Sequence, residues 1–187
     1  MNRFLRPIAR TLALMAALLG LGLAPTVSHA DPRPVNCSAA LPAMSGVVDG
    51  HLANDPVAGL RMETWVVVDR DSGRIDTTTH ARSLFLAKGF TASSLSVAYD
   101  ACGRAIALTP PLNTSVDAIW SPFGKSDRWK STHLDMDRQL TRRIARIEVV
   151  NAHSPVSAQE IYNRWKPVVC DAVRTISRIV GKPISCP

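Results

Sequence analysis

The stretch STHLDMDRQLTRRIARIEVVNAH, residues 131–153, decides the fold, because it fits two periodicities at once. Under a helical repeat, His133, Met136, Leu140, Ile144 and Ile147 join Trp129, just upstream, on one narrow face, while Arg138, Arg142, Ala145 and Arg146 face away. Asp135 and Asp137 near its start, and Arg142, Arg143 and Arg146 near its end, suit the helix dipole. Under strand alternation, Leu134, Met136 and Leu140 share a parity, and Ile147-Glu148-Val149-Val150 has high β-propensity. Only Leu134 sits on the wrong side of the helix, so helix is the preferred expectation over 132–148.

Downstream the pattern is cleaner. Ser157 with Glu160 three residues on forms a capping-box pattern. Ile161, Trp165, Val168, Val169, Ala172, Val173, Ile176, Ile179 and Val180 recur at helical spacing, predicting about six turns that end at Gly181 with Pro183 beyond. Pro167 lies inside this span and either kinks the helix or opens it.

Upstream the character is β. METWVVVD (62–69) and RIDTTTHA (74–81) flank Asp71-Ser72-Gly73, residues suited to a tight turn. Further strand candidates are ARSLFLA (81–87), SLSVAYDA (94–101), GRAIALT (103–109) and a short one at 116–120. Cys102-Gly103 reads as a hairpin tip, and Pro110-Pro111 ends that ladder because proline cannot donate to it. Residues 31–60 are rich in Pro, Ala, Asp and Asn without sustained periodicity, and read as a loosely structured lead-in.

The first thirty residues have the form of a secretory signal. Arg3, Arg6 and Arg10 precede a thirteen-residue apolar run at 12–24, too short to span a bilayer, and Val27-Ser28-His29-Ala30 offers a cleavage site after Ala30. The expected location is secreted or periplasmic, with no transmembrane segment in the mature protein. Removing the signal with its three arginines takes the formal charge from +7 to +4 and the length from 187 to 157 residues. So mild an excess gives no ground for nucleic-acid binding.

Four cysteines in an exported chain read as two disulfides. A helix advances about 15 Å from Cys170 to Val180, and six extended residues reach roughly 20 Å, so the tail can return along the helix. The expectation is Cys170 with Cys186 and Cys37 with Cys102. The spacings lack the close doublets of a zinc site, and no metal or cofactor is expected.

These elements predict an α+β domain over 61–187: an antiparallel sheet of about five to six strands, then one or two C-terminal helices packed on one face, held by two disulfides. The chain lacks HExxH, GxSxG, a phosphate-binding Gly-Lys loop and a dinucleotide fingerprint. The functional expectation is therefore a small binding or inhibitory module in the cell envelope or extracellular space. Its partner would be an envelope or secreted protein, or an anionic envelope polymer met by Arg142, Arg143 and Arg146.

The alternative is a small extracytoplasmic hydrolase using His133 with Asp135 or Asp137. In a strand all three project from one face, whereas in a helix only His133 and Asp137 are neighbours. Asp69-Arg70-Asp71-Ser72-Gly73 echoes the start of a calcium loop, but its twelfth position is His80 where a glutamate is needed. His51, His80 and His153 have no companions at ligand spacing, and Trp65, Trp120, Trp129 and Trp165 occupy positions that suit core packing.

Overall fold

The computed structural model describes residues 43–186. Eight antiparallel strands form two four-stranded sheets, and one long helix follows them. The first sheet has the order β1-β2-β3-β7, from β1 (Val47–Val57), β2 (Leu60–Asp69), β3 (Arg74–Ser83) and β7 (Asp127–Asp135). In the second, β4 (Phe90–Asp100) pairs along one edge with β8 (Ile144–Ala152). Its other edge is shared between β5 (Ala105–Leu108) and β6 (Leu112–Val116). Pro110-Pro111 separates β5 from β6, as expected of residues without an amide donor.

The stretch 131–153 is neither one helix nor one strand. It completes β7, makes a single turn of helix, α1 (Arg138–Thr141), and then forms β8. The helical expectation is therefore corrected. Its apolar set is split between two sheets, with Leu134 packed on the core from β7 and Ile144 and Ile147 buried from β8. Asp137 caps α1 by accepting from the Gln139 amide at 2.8 Å, and Leu140 closes the turn against the core.

Three other expectations change. The lead-in holds a full strand, since β1 pairs with β2 from Val47↔Asp69 to Val57↔Leu60. Leu84, Phe85 and Leu86 lie in the β3–β4 loop, and 117–120 in the β6–β7 loop, so neither continues a strand. The single sheet of five to six strands is two sheets.

Alternation explains the layering. Leu60, Met62, Thr64, Val66 and Val68 of β2, with Ile75, Thr77, Thr79, Ala81 and Ser83 of β3, turn one buried face inward. The second sheet covers that face. β4 is buried on both sides from Ala92 to Asp100, because its other face lies under the helix α2 (Pro155–Val180). Val66, Val68 and Ile75 share a core with Leu95, Val97, Ile106 and Leu108 and with Val169, Val173 and Ile176 of α2. Each such fully buried aliphatic side chain stabilises by about 1.5–3 kcal/mol. Gly50 on β1 faces β8 at close range: a Cβ there would lie 2.7 Å from Ile147 Cγ2.

Between the sheets runs a polar seam. Thr64 Oγ1 donates to Asn151 Oδ1 at 2.8 Å, which fixes the remaining directions: Thr79 donates to Thr64 at 3.1 Å and Ser94 to Thr79 at 2.6 Å. The Asn151 amide finishes the chain at Asn54 Oδ1 and the Leu52 carbonyl.

α2 starts one turn earlier than the Ser157 pattern suggests. Ser154 is the N-cap, accepting from the Ser157 amide at 3.1 Å, with Pro155 in the first turn; the helix runs on through Pro167. It stops at Gly181 (φ 70°), and the tail turns back, where Ser177 Oγ donates to the Lys182 carbonyl and accepts from the Ile184 amide. Cys186 is thereby bonded to Cys170 as expected, with Cα atoms 5.1 Å apart. The other expected bridge rests on Cys37, which lies outside the described residues, as do the signal and 31–42. Among the described residues no helix is long and apolar enough to cross a membrane.

Candidate functional site

The inner face of the first sheet is spent on the core, so its outer face carries whatever side chains the alternation leaves over. Register brings them into rows: His51↔Trp65 across β1 and β2, Trp65↔Thr78 across β2 and β3, and His80↔Trp129 across β3 and β7. The rings assemble into one stack. His51 lies on Trp65 with centroids 5.2 Å apart, Trp65 on Trp129 at 5.4 Å, and Trp129 on His80 at 4.3 Å, all within 18° of parallel. On the same face the Thr78 and Ser131 hydroxyls hydrogen bond across β3 and β7 at 3.0 Å.

Carboxylates clamp both ends. His51 Nε2 lies 3.0 Å from Glu63 Oε1, and His80 Nε2 lies 2.8 Å from Asp127 Oδ1. The same face carries Asp49, Asp69, Asp76 and Asp135 against Arg61, Arg74 and Arg82, so six carboxylates meet three guanidiniums and the face is acidic although the chain is basic. Arg74 donates to both Asp76 oxygens at 2.8 and 3.0 Å, leaving the other acids in excess. Asp69 is held below its ordinary carboxylate value, first by hydrogen bonding from the Ser72 side chain and then from the Ser72 and Asp71 amides.

Trp129 is 61% exposed and Trp65 half-buried, which corrects the expectation that these tryptophans fill the core. Trp120 is also exposed; Trp165 alone packs inward, edge-on to Tyr99 with centroids 6.2 Å apart. In METWVVVD the parity already sets Trp65 with Glu63 and Val67, opposite Met62, Thr64, Val66 and Val68. That alternation is the signal that identifies an outward tryptophan.

The other candidates disperse. His133 and Asp135 project from this same face, with Asp76 opposite His133 and Arg74 opposite Asp135 in register. Asp137 is diverted to cap α1 and lies 3.6 Å from Lys182 Nζ. Arg142 reaches Asp71 at 3.4 Å beside the β2–β3 turn. Arg146 instead covers the Tyr99 ring at 4.0 Å and pairs with Glu148, while Arg143 is half-buried between them in sequence. Among the described residues no group of three or more His, Cys, Asp or Glu is arranged to hold a metal ion.

An open cavity of about 350 Å³ lies between α2 and the β4–β5 turn, lined by Tyr99, Arg104, Trp165, Asp171 and Thr175 among others. Buried Asp100 organises that turn by accepting from the Cys102 and Arg104 amides, each at 2.9 Å, and from the Arg104 guanidinium at 2.7 Å.

Comparison with family models, with curated proteins and with solved structures finds no match.

Proposed function

We propose that this chain is a small exported binding module that takes a basic, extended segment of an envelope or secreted protein across the outer face of its first sheet. The observation that carries this reading is the four-ring stack His51–Trp65–Trp129–His80, standing exposed on an acidic sheet face. Exposed tryptophans give a partner apolar area and a π-system, and lysine or arginine side chains combine favourably with both indole rings and carboxylates. Electrostatic steering by the acidic face selects basic partners over acidic ones.

The test is a titration of the exported protein with a basic strand-forming peptide and an acidic peptide of matched length, followed by tryptophan fluorescence. The basic peptide is expected to bind, with affinity falling about tenfold or more in a Trp65→Ala/Trp129→Ala variant and falling with added salt. Equal binding of both peptides, or binding indifferent to the two tryptophans, contradicts the proposal.

A second reading, a hydrolase, draws on one observation: strand parity sets His133 and Asp135 on this face with Asp76 beside them. A His133→Ala protein that keeps every hydrolytic activity of the parent ends that reading.

A further inference from the structure

At the opposite extreme from the acidic face in character is one end of the sandwich, where the β3–β4 loop (84–89) meets the β6–β7 loop (117–126). Six large apolar side chains are exposed there: Leu84, Phe85, Leu86, Ile119, Trp120 and Phe123. Trp120 is 71% exposed and Phe123 is 99% exposed, touching almost nothing of its own chain. Scattered exposed apolar residues are ordinary on protein surfaces, but a contiguous group of this size marks an interaction site.

The two loops are held as a unit. The Ile119 amide donates to the Phe85 carbonyl at 3.0 Å and the Trp120 amide to the Leu86 carbonyl at 2.9 Å. Within the second loop, Ser121 donates to Ala118, Gly124 to Ser121 and Asp117 to Lys125. Ser83 Oγ donates to the Lys88 carbonyl, and Asp117 accepts from the Lys125 amide at 2.8 Å. Much of the loop backbone is thus satisfied internally, which lowers the cost of taking it out of water.

Charge selects the occupant. Lys88 and Lys125 belong to the same two loops, and among the described residues neither has a carboxylate partner; Lys88 Nζ lies 5.4 Å from the Phe90 ring centroid. The neighbouring acid, Asp117, is already held by Arg128 at 3.0 Å. An exposed apolar loop pair carrying tryptophan and phenylalanine, with two lysines in the same loops, matches the interfacial zone of a bilayer: rings at headgroup depth, ammonium groups at lipid phosphates. A rigid protein groove would have to be shaped to Phe123, whereas lipid yields around it.

We propose that the 84–89 and 117–126 loops form a membrane-docking tip that inserts Trp120 and Phe123 into the interface of an anionic lipid bilayer. Insertion is shallow and reversible, and it is independent of the acidic sheet face.

The test uses the exported protein as cells release it, with vesicles of phosphatidylcholine alone and of phosphatidylcholine containing phosphatidylglycerol. Co-sedimentation is expected with the phosphatidylglycerol vesicles, weakening as salt is raised. Brominated acyl chains are expected to quench tryptophan emission in the parent and in Trp129→Phe but not in Trp120→Leu. A Trp120→Ser/Phe123→Ser variant, whose altered side chains lie outside the core, is expected to melt like the parent and bind about tenfold more weakly or worse. Lys88→Glu/Lys125→Glu is expected to lose the preference for phosphatidylglycerol. Absence of binding to either vesicle, equal binding to both, or binding unchanged in Trp120→Ser/Phe123→Ser overturns the proposal.

Discussion

Trp65 and Trp129 stack at 5.4 Å although a strand lies between theirs: β2 and β7 flank β3, and the two indoles meet across it. Their contact forms on a solvated face and bridges three strands, of which β2 and β3 bury their inner residues in the core. Replacing Trp129 by alanine is therefore expected to alter binding far more than folding. Its melting temperature should stay within about 4 °C of the parent, the shift expected of roughly 1 kcal/mol in a domain of this size.

The polar seam behaves oppositely. Asn151→Ala leaves the buried Thr64 hydroxyl without its acceptor and removes the bonds to Asn54 and to the Leu52 carbonyl nearer the surface, and is expected to cost about 1–3 kcal/mol. Thr114 supplies the contrast, because its buried hydroxyl makes no hydrogen bond with the described residues. Thr114→Val removes an orphaned polar group and is expected to be neutral or to stabilise by up to about 1 kcal/mol. Chemical denaturation of both variants checks the pair.

The Cys170–Cys186 bridge closes a short loop that pins the tail on α2, with Ile184 packed against the core. On the chain-entropy account such a loop stabilises by about 3 kcal/mol. A Cys170→Ser/Cys186→Ser variant is expected to melt roughly 6–12 °C lower, read by calorimetry. Peptide mapping without reduction should recover Cys170 joined to Cys186 in the parent.

Asp69 gives a pH dependence whose sign is fixed. Its folded carboxyl lies below the ordinary value of 3.8, so the stabilisation it lends the β2–β3 turn is fully present above that value and is lost as pH falls through the lower, folded one. Asp69→Asn is expected to remove this contribution and flatten the acid limb of the melting curve against pH. An identical acid limb in parent and variant would show that the Asp69 hydrogen bonds contribute nothing there.

Much of this fold is legible in the sequence where local pattern and tertiary environment agree. β2, β3, the turn between them and the long helix all follow from alternation, turn residues and helical spacing. β1 was hidden because Gly50, Asn54, Asp55 and Pro56 lower its strand propensity, and pairing with β2 supplies what propensity lacks. Leu84-Phe85-Leu86 misleads in the other direction, having strand composition but serving an exposed loop end. In 131–153, apolar residues three and four apart fall on one helical face by coincidence, because two strands and a cap are compressed into a short span. The site was half legible: parity alone sets Trp65 outward, but only the β3–β7 register brings Trp129 and His80 to it.

The central claim, that the outer face of the first sheet is the binding surface, is tested most directly by heteronuclear NMR of the protein during titration with the basic peptide. The account predicts that shift changes concentrate on His51, Glu63, Trp65, Thr78, His80 and Trp129, with α2 undisturbed. Changes confined to the cavity beside Tyr99 and Trp165, or none at saturating peptide, would contradict it.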